Sequence, residues 1–237
     1  MLKLFDLLRD LSHGELSNLS MAGDGNGSIT AATQPKIVLY VNDGLLRLYS
    51  KFVLKESDVY ITLLDTITNY HIIERFAENY TPIDVADDEP IRYITDLPGE
   101  RFTGDILKIL KVFDVNSQEL PLNDINNPDS LFTPQHNILQ VLSPLTDAVL
   151  SIHYQAMHVK LVGELSSVID IPEVLESALR AFISYRVFSD MNTKDSLQKA
   201  SEHLATFDKL CQTVVDGDLV NTSISSLNTR FSKRGWG

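Results

Sequence analysis

Three features of the sequence predict an α+β fold: a helical bundle formed by N- and C-terminal helices, an inserted β-rich domain, and an extended C-terminal tail. Apolar residues recur at three- and four-residue steps near the start and again after about residue 170, while short runs of Val, Ile, Thr and Tyr parted by Pro, Asn, Asp and Gly fill the middle. The end of the chain follows neither pattern. The predicted boundaries are residues 1–52 for the first helices, 53–165 for the β-rich domain, 166–218 for the long C-terminal helices and 219–237 for the tail.

Leu2, Phe5, Leu8 and Leu11, with Leu4 and Leu7 beside them, predict a short amphipathic helix that stops near His13-Gly14. The stretch MAGDGNGSITAATQ is poor in large apolar residues and reads as a loop. Asp24, Asn26 and Ser28 imitate the first ligands of a calcium loop, but Ile29 stands where the turn glycine belongs and Pro35 where the bidentate glutamate belongs, so calcium is set aside. From Pro35, the residues Val38, Val41, Leu45, Leu48 and Phe52 form one helical face. Asn42-Asp43-Gly44 in its middle is also a strong hairpin signal, yet the stripe stays in phase across Gly44, which favours helix.

The strand candidates are Val59–Leu63, Tyr70–Glu74, Ile106–Phe113, Asn137–Leu142 and Ala148–Tyr154, with a turn at Asp114–Ser117. Residues 81–90, strongly acidic, and 121–137, dense in Asn, Asp and Pro, read as solvated loops. Ile171–Met191 then reads as a helix opened by Pro172 and Glu173, apolar over most of its surface and so destined for burial. Arg186 falls among its apolar residues and needs a partner, for which Asp190, one turn on, is the nearest carboxylate. Asn192-Thr193 can cap a second long helix, whose residues Leu197, Ala200, Leu204, Phe207, Cys211 and Val214 make a packing seam that ends at Asp216-Gly217.

Composition narrows the function. The chain has 237 residues, 43% of them hydrophobic, which allows a substantial core. Its net charge of -12 argues against a protein whose affinity comes from neutralising phosphates, while leaving room for local basic patches. A single cysteine, Cys211, excludes an intrachain disulfide and a cysteine-rich zinc site. The N-terminus lacks a signal-peptide core, and no run approaches the ~20 apolar residues of a membrane helix, so an intracellular protein or part of a soluble assembly is expected, with no membrane partner. The glycosylation patterns at Asn79 and Asn221 are then read as chance.

The six histidines show no metal-ligand spacing; His153 and His158 are the closest pair, without a third ligand. Asp87-Asp88-Glu89 reads as a solvated acidic face. No phosphate loop, dinucleotide fingerprint or nucleophile elbow occurs. No catalytic, cofactor or metal residue is therefore assigned, and an enzyme is not expected. The tail LVNTSISSLNTRFSKRGWG has no acidic residue after Asp218 and sets Phe231 and Trp236 among Arg230, Lys233 and Arg234. Fraying is the bland reading of a terminus; aromatic and arginine anchors favour docking on a partner.

VLYVNDGLLRLYSKFVLKE, LPLNDINNPDSLFTPQHNILQV, ALRAFISYRVFSDM and the tail LVNTSISSLNTRFSKRGWG together resemble the head-to-tail adaptor, or connector, proteins of short-tailed bacteriophages. The resemblance spans most of the chain apart from the glycine-rich loop. It implies a homo-oligomeric structural ring, usually twelve copies, in the virion neck and assembled in the host cytoplasm. Such a ring lies between the portal protein and the tail nozzle protein, with double-stranded DNA passing through its lumen without sequence-specific binding. It implies a helical bundle with an appended β-domain and a tail that grips the portal, the contact residues being Arg230, Phe231, Lys233, Arg234 and Trp236. Arg186 and Asp190 are expected as structural or interface residues, and a neighbouring subunit is expected to cover part of the broad apolar surface of their helix. Acidic walls would let DNA slide. The alternative is a small hydrolase or a ligand-binding enzyme hosted on the β-rich section.

Overall fold

The computed structural model describes residues 2–17, 19, 29–81, 91–97 and 99–220. In chain order, strand β1 (Leu2–Lys3) runs into helix α1 (Leu4–His13), and α2 (Gln34–Lys51) follows. Seven strands come next: β2 (Glu56–Thr62), β3 (Asn69–His71), β4 (Ile94–Thr95), β5 (Ile106–Phe113), β6 (Phe132–Gln135), β7 (Ile138–Gln140) and β8 (Val149–Ala156). Then β9 (Val168–Ile169) precedes helices α3 (Glu176–Asp190) and α4 (Lys194–Asp216). The fold is α+β, and it divides into two compact units, one made of the residues up to Leu54 with those from His158 onward, the other of Lys55–Met157.

In the discontinuous unit, α1 buries Leu4, Leu7, Leu8 and Leu11, one stripe of an amphipathic helix. Its first turn leaves backbone N–H groups without helical partners. The pairing of β1 with β9 answers two of them, because Leu4 N–H donates to Ser167 O (3.0 Å) and Phe5 N–H to Leu165 O (3.1 Å). Helix α2 starts with Pro35 in its first turn and runs unbroken through Asn42-Asp43-Gly44, so no hairpin forms there. The glycine serves a different purpose: a Cβ on Gly44 would lie 2.7 Å from Leu179 Cδ1 and 3.1 Å from Phe182 Cδ1, so α2 and α3 meet at a point where only hydrogen fits.

Helix α3 starts later than expected. Pro172 is extended (ψ 141°), and residues Glu173–Leu175 form a 3-10 turn closed by Leu175 N–H to Pro172 O (2.9 Å) before α-helical geometry begins at Glu176. Ala178, Leu179, Ala181, Phe182, Ile183, Val187 and Phe188 are buried, and α1, α2 and α4 all pack on this helix. Its apolar breadth is therefore covered inside its own unit, and no neighbouring subunit is needed to explain it. Helix α4 opens on a reciprocal cap in which Ser196 N–H donates to Thr193 Oγ1 (3.2 Å) and Thr193 N–H to Ser196 Oγ (2.9 Å). That turns Ser196 inward, and the buried seam becomes Ser196, Ala200, Phe207, Cys211 and Val214, while Leu197 is left 46% exposed. Edge-to-face contact of Phe182 with Phe207 and stacking of Phe188 on His203 align α3 and α4 antiparallel.

The other unit holds a four-stranded antiparallel sheet in the order β4-β2-β8-β5 and a three-stranded one in the order β3-β7-β6. Strands β2 and β8 pair without interruption from Glu56↔Gln155 to Thr62↔Val149, so alternation holds: Val59 and Ile61 meet Ile152 and Leu150 in the core. Strand β5 breaks that rule. Two register shifts space its core residues Ile106, Ile109 and Val112 three apart, leaving Lys108 exposed. Strand β6 falls in the stretch expected to be all loop, its Pro134 tolerated because β6 lies at a sheet edge. The unit's two chain ends are adjacent, Ala156 N–H donating to Lys55 O (2.9 Å).

Candidate functional site

The docking residues expected in the tail, Arg230, Phe231, Lys233, Arg234 and Trp236, lie outside the described residues, as do the glycine-rich stretch Gly23–Gly27 and the acidic cluster Asp87-Asp88-Glu89. What the structure does place is the pair Arg186 and Asp190. It does not join them. Arg186 Nη2 sits 3.1 Å from Asp43 Oδ2, and its guanidinium lies 5.3 Å from the centre of the Tyr40 ring. Asp190 instead accepts from Lys36 Nζ.

The correction follows from how the helices run. Lys36, Tyr40 and Asp43 occupy successive turns of α2, and the antiparallel α3 brings Asp190 to the first and Arg186 to the last. Cross-helix partners thereby displace the intrahelical pair. Both ion pairs are about half exposed, 41% and 49% for the side chains of Arg186 and Asp43, so Arg186 is not a buried charge but a rim residue that joins α3 to α2. The hydrogen bond to Asp190 holds the Lys36 ammonium above its ordinary pKa, and burial, with Asp190 nearby, pushes the Tyr40 phenol up. This strip is a fixed pattern of alternating charge on the helical unit. On α2, Leu39 and Leu46, seven residues apart and so on one face, are 58% and 48% exposed.

The two histidines singled out by proximity have separate duties. His153 lies between two carboxylates, with Nδ1 2.8 Å from Asp58 Oδ1 and Nε2 3.2 Å from Glu56 Oε2, a cross-strand clasp of β8 to β2. His158 Nδ1 donates to Val159 O (2.6 Å), and its Nε2 accepts from Asp170 N–H (3.0 Å), a backbone-bracing role. Among the described residues no group of three or more His, Cys, Asp or Glu side chains could hold a metal ion. Cys211 is buried, and burial raises its thiol pKa, so it is a packing residue with little thiolate. Among the described residues, no helix is long and apolar enough to cross a membrane.

The β unit carries two concave surfaces. A cleft of about 740 Å³ opens at the end of the four-stranded sheet where β2 and β5 finish and β8 begins. Val115, Leu142 and Leu145 line it while 72%, 58% and 74% exposed, and Asp114, Asp129 and Asp147 stand among them. Asp114 accepts from the N–H groups of Gln118 (2.8 Å) and Asn116 (2.9 Å), which hold its carboxyl below the usual range. No local signal in the sequence marks this cleft, because its walls come from turns far apart in the chain, each unremarkable alone. A more open groove of about 860 Å³ follows β5 and is polar, with Lys108, Asn123 and Gln135 on its walls. Comparison of the chain with protein-family models and with curated proteins finds no match.

Proposed function

We propose that the chain is a structural, non-enzymatic protein of the bacteriophage virion, a head-to-tail adaptor whose copies form a ring in the neck between portal and tail nozzle. The observation that carries this reading is the discontinuous helical unit, in which helices from both ends of the chain close around α3 while the β unit is inserted between them. That order is the one the resemblance implies, a helical bundle with an appended β-domain. In the ring, Leu39 and Leu46 on the outer face of α2 pack on the next copy, and the charged strip of Lys36, Asp43, Arg186 and Asp190 sets its register. Twelve copies surround the DNA, and the net charge of -12 per chain keeps the lumen from holding phosphates. The tail, through Arg230, Phe231, Lys233, Arg234 and Trp236, grips the portal.

The test is to mix the purified chain with the portal of its particle and image the product by electron microscopy. A ring beneath the portal is expected, lost when residues 220–237 are deleted. Rings that persist after the deletion refute tail docking. An intact chain that never associates with the portal or the virion neck refutes the adaptor role.

A further inference from the structure

The cleft at the loop end of the β unit has the features of a docking seat. Its interior residues Val115, Leu142 and Leu145 are apolar yet mostly exposed, so the isolated fold leaves there an apolar surface that burial would favour. Asp114, Asp129 and Asp147 put negative charge around them. A complementary occupant is therefore an aromatic group flanked by cations. Its volume, about 740 Å³, suits a large side chain with its neighbours.

One stretch of this chain has that chemistry. After Asp218 the sequence contains no acidic residue, and it ends with Arg230, Phe231, Lys233, Arg234 and Trp236, in a protein with 32 acidic and 20 basic residues. Residues 221–237 lie beyond the described fold and span up to ~55 Å when extended, at roughly 3.3 Å per residue. We propose that the cleft receives the C-terminal segment of a second copy of this chain, with Trp236 seated between Val115, Leu142 and Leu145 and the cations of Arg230, Lys233 and Arg234 facing Asp114, Asp129 and Asp147. Tail on one copy and cleft on the next is a head-to-tail contact, which propagates and closes into a ring when the rotation allows. The choice of a second copy rests on the ring reading above. Cleft and portal then compete for one segment, so the tail is covered until the portal takes it.

The only tryptophan is Trp236, so the intrinsic emission of the full chain reports the seat directly and without portal. Across a dilution series, the emission should lie at short wavelength and resist quenching by acrylamide at high concentration, then move to longer wavelength on dilution. Leu145→Lys, at a position exposed enough to leave the fold intact by circular dichroism, should weaken that transition roughly tenfold or more. Ile125→Lys, at an 87% exposed residue outside the cleft, should leave it unchanged. A water-exposed spectrum at every concentration overturns the proposal. So does a protected spectrum that dilution does not alter, or a transition that Leu145→Lys leaves in place. A chain that fails here and still binds portal refutes the cleft and leaves the adaptor reading standing.

Discussion

Replacing Gly44 by alanine sets two effects of similar size against each other. In an exposed helix the change would stabilise by about 1 kcal/mol, because alanine loses less backbone entropy on folding. At Gly44 the new methyl would sit 2.7 Å from Leu179 Cδ1 and 3.1 Å from Phe182 Cδ1. Leu179 is fully buried and Phe182 nearly so, so neither can swing away without disturbing α4 or the rest of the core. Overpacking of this kind costs roughly 1–3 kcal/mol, and the net expectation is a loss of about 1 kcal/mol. The described α-helices all belong to the discontinuous unit, so urea unfolding followed by circular dichroism at 222 nm reads that unit. The midpoint should fall at unchanged slope. Leu179→Ala alone should cost about 2–5 kcal/mol through its cavity. In the double variant the alanine methyl no longer meets Leu179 Cδ1, so the combined loss should be smaller than the sum. A Gly44→Ala chain that gains about 1 kcal/mol would refute the close approach of α2 and α3.

Asn42→Ala removes a side chain that donates from Nδ2 to Leu161 O (3.0 Å) and accepts at Oδ1 from Leu161 N–H (2.9 Å), and a loss of roughly 1–3 kcal/mol is expected in the same urea assay. Burial against Phe188 lowers the His203 pKa below its ordinary 6.5, Lys199 adding to this and Glu15 and Glu202 opposing it. The unfolded chain therefore binds the proton more readily, so stability should fall as pH drops below about 6.5 until the folded form is protonated too. His203→Leu should flatten that part of the profile of melting temperature against pH; an unchanged acid slope refutes the assignment.

Where one periodicity governs an element, the sequence was a sufficient guide. The stripe of α2, the strand runs of β2 and β8 and the caps of α4 read through because one buried face imposes one spacing, whereas in α1 the expected face included Phe5, which is 52% exposed, and the buried one is Leu4, Leu7, Leu8 and Leu11. Legibility ended where geometry departs from the ideal repeat. The strand Ile106–Phe113 forms with the expected bounds, but its bulges convert a two-residue period into a three-residue one, so which of its residues face the core was not legible. Strands β1 and β9 have two residues each and exist only through each other, so no local signal marks them. The candidate surfaces were least legible. Arg186 was expected to pair along its own helix, because the sequence does not reveal that Asp43 lies across from it; the cleft needs three turns brought together by the sheets.

The adjacency of the two ends of the β unit also bears on the order of folding. Ribosomal synthesis completes Lys55–Met157 before α3 and α4 exist, so residues up to Leu54 must wait for partners a hundred positions away. Closing a flexible loop of that length costs about 4 kcal/mol of chain entropy. Once β2 and β8 have zipped, however, Lys55 and Ala156 are held a hydrogen bond apart, and the intervening chain acts kinetically as a short tether. The inserted unit thus serves as a template for closure, and variants that weaken the β2–β8 pairing should slow assembly of the helical unit.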